Sequence, residues 1–428
     1  MTQRKGTTMK IDRRTFVGGG VAAIISAPRL ARAQAAKTVR IGVITDMSGI
    51  YRDVSGPTTV ACAQLAVDEF TAANPDIKVE LLVADHQNKA DIGLGIIRKW
   101  FDQDGVDVIE NVGNSSIALG AKYLIEDKNK VALVTTAGSS DLTGKSCSAN
   151  LVHWSWDSWC LAHSTATSTV RTGGTKWFFI TADYAFGHAA EADATKFVKA
   201  AGGTVVGSVR YPYGSTTDYS SFLLQAQSSG ANVIGFANAG SELISCLKQA
   251  QEFGLDRGNQ EFGLDRGNRR MVALVGYITD VVGMGLPTAK GLSLTETFYW
   301  DLNDRTRSFM NRIKPKLGNG VFPNMSQAGD YACVRHYLKA VKELGVERSK
   351  ASGRDVVDLM KKMPTDDDCF GQGSIRNDGR KIHPAYLFEV KKPEESKAPG
   401  DIYRLVSTLP AEEAFRPIGE GGCALIRT

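Results

Sequence analysis

From residue 38 onward, short apolar runs alternate with amphipathic ones, and this alternation restricts the fold more than any single motif. Thr38–Thr45 (TVRIGVIT), Lys78–Asp85, Val106–Asn111 and Val131–Ala137 read as strands. Pro57–Asn74, Ala90–Phe101 and Ser115–Lys128 read as helices between them, the first with Pro57 near its opening turn and Val60, Leu65, Val67 and Phe70 inside. Strands that are apolar on both sides need cover on both faces, which implies a parallel sheet flanked by helices. The pattern then restarts. Helices at Ser158–Arg171, Gly187–Ala201, Asp218–Ser229 and Ser241–Phe253 alternate with strands at Trp177–Asp183, Thr204–Tyr211, Asn232–Ala239 and Met271–Gly276. Two successive β-α series imply two similar α/β lobes. A strand at Gly291–Tyr299 follows, then helices at Asp304–Leu317, Gln327–Leu344 and Gly353–Lys362, and a hairpin turning at Asn377-Asp378-Gly379.

The first 33 residues lie outside this pattern. Arg13-Arg14 precede a modest apolar stretch, and Ala31-Arg32-Ala33 offers a small-x-small cleavage site. The apolar run is about 11 residues, short of the roughly 20 that span a bilayer. No strand precedes the glycines and no Lys-Ser/Thr follows them, so a phosphate loop is excluded. The layout is that of a twin-arginine export leader, with no Cys at the cleavage point for a lipid anchor. The leader carries seven Lys/Arg and one Asp, a net +6, so the chain's +5 becomes about −1 after cleavage. A basic nucleic-acid-binding surface is therefore not implied.

The remaining chain of the 428 residues is long enough for two cores. Seven scattered cysteines form no CxxC pair, which argues against zinc or thioredoxin chemistry. An oxidising compartment allows some to pair, and the odd number leaves at least one free. The nonapeptide QEFGLDRGN occurs at 251–259 and again at 260–268. It falls in a helix-to-strand connection at the amino ends of the strands, away from where ligands bind, and reads as a tolerated duplication.

No G-x-S-x-G elbow, H-E-x-x-H helix or Walker loop is present, and the six histidines are dispersed. The sequence implies no cofactor and no metal. A binder of this architecture uses strand carboxyl ends and the helix N-termini that follow, where free N–H groups favour anions. The candidates are therefore loop residues. Ser115 and Ser116 follow the Val106–Asn111 strand, with capping by Ser115 and ligand binding both compatible. Ala137 and Ser139 follow the next strand. Tyr184 and Phe186 follow WFFITAD, Asn238 lies near the end of Asn232–Ala239, and Asp280 follows Met271–Gly276 as either an ammonium partner or a helix cap. Tyr51 sits at the mouth of the first loop. Trp154 and Trp156 mark the handover between lobes, Trp156 as a ligand contact.

RIGVITDMSGIY, the loops around Ser115-Ser116 and TTAGSS, FFITADYAFG, and the late crossover near Leu286–Gly291 occur in an order that resembles the periplasmic solute-binding proteins of branched-chain amino acid ABC importers. The resemblance spans the whole chain after the leader. It implies a type I periplasmic binding fold, with two Rossmann-like lobes of parallel sheet joined by a three-strand hinge. It divides the chain into 38–157 with 288–372, then 158–287 with 373–408, and a tail at 409–428. It implies that Ser115 or Ser116, Ala137 and Ser139 hold a ligand carboxylate, and that Phe186 with Tyr184 touches the side chain. The family's Gly-x-Glu is replaced by Gly276-Tyr277-Ile278-Thr279-Asp280, which leaves Asp280 as the ammonium partner two residues late. The expected role is capture of a branched-chain amino acid, or a short amide, urea or aromatic acid, for delivery to a membrane permease by a monomer in the periplasm. A ligand sensor is the second reading. An exported enzyme is the third, and it would need Asp280 with a nearby histidine as acid and base.

Overall fold

The computed structural model describes residues 38–255 and 269–426. The leader, the second copy of the nonapeptide and the end of the first lie outside them. Five strands, β1 (Thr38–Thr45), β2 (Lys78–Asp85), β3 (Val108–Asn111), β4 (Val131–Val134) and β5 (Leu151–His153), form an all-parallel sheet in the order β2-β1-β3-β4-β5. Interior strands β3 and β4 are buried throughout, whereas β2 alternates because an edge strand keeps water on one side. The helix Met325–Leu344 packs along Gly56–Ala73 over this sheet.

The second sheet begins with β6 (Lys176–Ala182), β7 (Thr204–Tyr211), β8 (Val233–Ala237), β9 (Arg270–Ala273) and β10 (Ser293–Glu296), all parallel. A small three-stranded sheet follows from β11 (Thr365–Asp367), β12 (Gly371–Ile375) and β13 (Lys381–Ile382), with Gly379 at positive φ in the predicted turn. The large sheet then gains β14 (Ala385–Val390) and β15 (Tyr403–Leu409), which run antiparallel, giving the order β15-β14-β10-β9-β8-β6-β7. This is the two-lobed type I periplasmic binding fold. Two sequence expectations change. Segment 288–372 starts in the second lobe, because β10 lies between β9 and β14. The two lobes also differ, because β14 and β15 extend the second sheet beyond its parallel part.

The chain passes between the sheets three times, at 154–157, after β10 and around 376–384. Buried Arg380 ties the first and third of these passages together. It donates to the carbonyls of Trp154, Trp156 (3.0 Å) and Lys381 (3.0 Å), and it lies 3.5 Å from Asp157 and 4.4 Å from the Phe415 ring. Thr297 adds a hydroxyl bond to the Ser155 carbonyl at 3.0 Å. The C-terminal tail crosses the same region. Cys423 is disulfide-bonded to Cys147, Arg416 donates to the Ser140 carbonyl at 2.8 Å, and Glu420 pairs with Lys196 of the second lobe at 3.4 Å. The other five cysteines are free and buried.

Candidate functional site

The strand carboxyl ends of both lobes face each other across a cleft. A small cavity there is lined by Tyr51, Val54, Gly113, Ser115, Thr136, Ala137, Gly138 and Trp156 on one side, with Tyr184, Phe186, Ala239 and Tyr277 on the other. Side chains of the two sides touch across it, Tyr51 with Tyr184 and Trp156 with Phe186. The lobes are closed down on each other, and a ligand has to part the aromatic walls.

The first lobe supplies backbone and hydroxyls. The helix Ser115–Lys128 starts at the end of β3, and its cap is Asn114, whose side chain accepts from the N–H groups of Ser116 (2.7 Å) and Ile117 (3.3 Å). Ser115 is thus not the cap. Its hydroxyl accepts from the Ser139 N–H at 3.2 Å, which leaves its own proton to donate into the cavity. Gly138 is there because Trp156 is there. A Cβ at Gly138 would sit 2.1 Å from the indole ring. Trp156 is anchored by its N–H to Ser326 at 3.0 Å and meets Phe186 and Tyr277 edge-on at 5.7 and 5.9 Å.

The second lobe supplies rings. Tyr184 stacks on Tyr213 with centroids 3.8 Å apart and hydrogen-bonds the Tyr51 hydroxyl across the cleft. Asn114 donates to the Tyr213 hydroxyl at 3.2 Å, again between lobes. Burial holds the phenols of Tyr51, Tyr184 and Tyr277 above their ordinary range, so they stay protonated donors. None of the lining side chains carries a charge at neutral pH.

Of the sequence candidates, Tyr51, Ser115, Ala137, Trp156, Tyr184 and Phe186 line the cavity. Four do not. The Ser116 N–H is taken by Asn114, and the N–H of buried Ser139 donates to Ser115. Asn238 points behind the wall, its amide 3.3 Å from the Cys246 sulfur. Asp280 caps the helix Ile278–Met284, its carboxylate accepting from the Tyr277 N–H at 3.2 Å and from the Gly240 backbone. Burial raises it to about 7. No described lining residue is a histidine. The lining residues that are not sequence candidates are Val54, Gly113, Thr136, Gly138, Ala239 and Tyr277, and Tyr213 and Asn114 beside them are not candidates either. Tyr277 and Asn114 stand in loops already marked, but Tyr213 follows an edge strand and carries no local signal.

Two facing α/β lobes, a hinge and a closed interlobe cavity define a bilobed solute-binding protein. The chain belongs to the periplasmic binding protein family, whose sequence profile matches residues 38–397, and to its branched-chain amino acid ABC importer class. A periplasmic binding protein from Burkholderia mallei is 41% identical with a TM-score of 0.85, over 92% of this chain and 100% of that one. A branched chain amino acid ABC transporter periplasmic ligand-binding protein from Burkholderia xenovorans is 35% identical with a TM-score of 0.76, over 90% and 99%. A solute binding protein of an ABC transporter from Rhodopseudomonas palustris, in complex with 3,4-dihydroxybenzoic acid, shares the fold at 21% identity and a TM-score of 0.74, over 88% and 98%. No curated protein sequence matches the chain. Proteins of this family work in the periplasm, bind a small solute and hand it to an ABC permease.

Proposed function

We propose that the solute is a small carboxylate with an aromatic or flat apolar body, rather than a free branched-chain amino acid. The observation that carries this is the cavity wall. Five aromatic rings, from Tyr51, Trp156, Tyr184, Phe186 and Tyr277, surround hydroxyl and backbone groups at the start of a fourteen-residue helix, with no carboxylate among them. The Ser115 hydroxyl and the helix N-terminus suit an anion. An ammonium buried here would lack an opposite charge, which is costly. The R. palustris protein shows that the fold admits an aromatic acid. The competing reading, a branched-chain amino acid, has the name of the B. xenovorans protein in its favour.

In this reading the moving bodies are the two sheets with their helices, and Arg380 lies at their hinge. A ligand touching both walls stabilises the closed form by its preference for that form. The closed protein, a monomer, then meets the permease. The leader at 1–33 directs export by the twin-arginine route, so lysines at positions 13 and 14 should leave the precursor unexported in cell fractionation. The ligand test is thermal shift of the mature protein against leucine, valine, glutamate, urea, acetamide, benzoate and coumarate. Stabilisation by benzoate or coumarate is expected, and at a hundredfold excess over Kd it amounts to about 2.7 kcal/mol. A shift with leucine and valine alone would overturn the aromatic reading and return the amino acid.

A further inference from the structure

The turn that delivers Gly113 and Ser115 to the cavity is strained. Asn111, which ends β3, and Val112, which follows it, have φ of 68° and 50°. Asparagine visits this left-handed region readily, but a β-branched valine does so rarely, because its side chain crowds the backbone. Such a conformation persists only where the surroundings impose it. Here the imposing group is visible. The Asn111 amide nitrogen lies 2.9 Å from the Thr136 hydroxyl, 3.2 Å from the Thr59 hydroxyl and 3.2 Å from each carboxylate oxygen of Asp330. The Thr135 hydroxyl donates to the same carboxylate, and the Thr135 and Thr136 N–H groups donate to the Asn111 carbonyl at 3.2 and 3.4 Å. Asn111 and Asp330 are fully buried, and neither Asp330 nor its partner Thr135 lines the cavity. It stands on the helix Met325–Leu344, whose first turn also anchors Trp156 through Ser326.

We propose that Asp330 is a positioning residue for ligand binding: through Asn111 it holds the Asn111–Val112 turn in its strained form and so fixes Gly113 and Ser115 at the cavity wall. One helix thereby sets two parts of the same wall, the anion-binding turn through Asp330 and the indole through Ser326. The inference rests on the cleft being the ligand site and is independent of which solute fills it.

The test uses the mature protein with Asp330→Asn and Val112→Gly. Hydrogen exchange, read without ligand, is expected to rise about tenfold over residues 111–116 in both variants, with β6 and β8 unchanged. Val112→Gly relieves the strained φ but also deletes a fully buried side chain, so its Tm should fall, and its affinity for benzoate in calorimetry should drop at least fivefold while Asp330→Asn, which leaves Val112 in place, loses affinity as well. Unchanged exchange at 111–116, or an increase spread evenly over both lobes, would overturn the proposal. If wild-type protein ignores benzoate and binds leucine, the aromatic reading fails, and the affinity comparison is made with leucine while the exchange result still decides the role of Asp330.

Discussion

The two lobes answer the same demand with different materials. The first lobe brings small groups to the cleft: Gly113, Ser115, Thr136, Ala137 and Gly138 stand at the ends of a purely parallel sheet. Beneath them lies a buried polar network of Asn111, Thr135, Glu110 and Asp330. Burial and the neighbouring Asp330 push Glu110 upward, and burial raises Asp330 as well. The second lobe brings Tyr184, Phe186, Tyr213 and Tyr277, set on apolar strands of a sheet extended by two antiparallel members. Small groups let a ligand's polar end approach the backbone, and rings cover its body. Neither wall suffices alone, so affinity requires closure.

The comparison breaks most severely where the lobes are tied. The disulfide joins residues 276 apart, linking the first lobe to a tail that also pairs with the second. Removing it with Cys147→Ser and Cys423→Ser should cost on the order of 5 kcal/mol by loop entropy, read as a fall in Tm under non-reducing conditions. Trp156 is the one ring contributed from the hinge, and it touches rings of the second lobe. Trp156→Ala should cost about 3–5 kcal/mol of stability and abolish detectable ligand stabilisation in thermal shift.

A third test concerns Glu296, a buried carboxyl of β10 that accepts from Ile278 N–H (2.8 Å), the Tyr403 hydroxyl (2.8 Å) and the Met325 N–H (3.4 Å) at the junction of the lobes. Burial raises it to about 8. Because the folded value lies above the unfolded one of about 4.3, its stabilising contribution is full at low pH and is lost as pH climbs toward 8. Glu296→Gln should therefore flatten the Tm profile between about pH 5 and pH 8, where wild type is expected to slope more steeply downward. His336, lowered to about 4 by burial, acts in the other direction and loses its contribution on acidification below about 6.5.

Smaller effects sharpen the division of labour. Ser115→Ala should weaken binding of the stabilising carboxylate by about 1–1.5 kcal/mol in calorimetry, with little change in Tm. Tyr213→Phe removes the hydroxyl that bonds Asn114 and Tyr51 across the cleft. It should cost about 0.5–1 kcal/mol and enlarge the ligand-free protein slightly in small-angle scattering.

Much of this was legible in the chain. The alternation of apolar runs and amphipathic segments determined two α/β lobes, because interior parallel strands must be apolar on both faces and their helices on one. Loop position then marked Tyr51, Ser115, Ala137, Tyr184 and Phe186, since chain direction alone puts these residues at strand carboxyl ends. Other features depended on neighbours far away in sequence. Asn114 rather than Ser115 caps its helix, and Asp280 is spent on the N–H groups of Tyr277 and Gly240, choices that turn on backbone angles which a sequence pattern does not display. Gly138 owes its place to an indole 18 residues on, Tyr213 meets a partner 99 residues away, and Cys147 pairs over a separation of 276. Local periodicity fixes which face of an element is buried. Only the folded chain decides which buried faces meet, because that choice is made by shape and hydrogen bonding between segments that no local pattern relates.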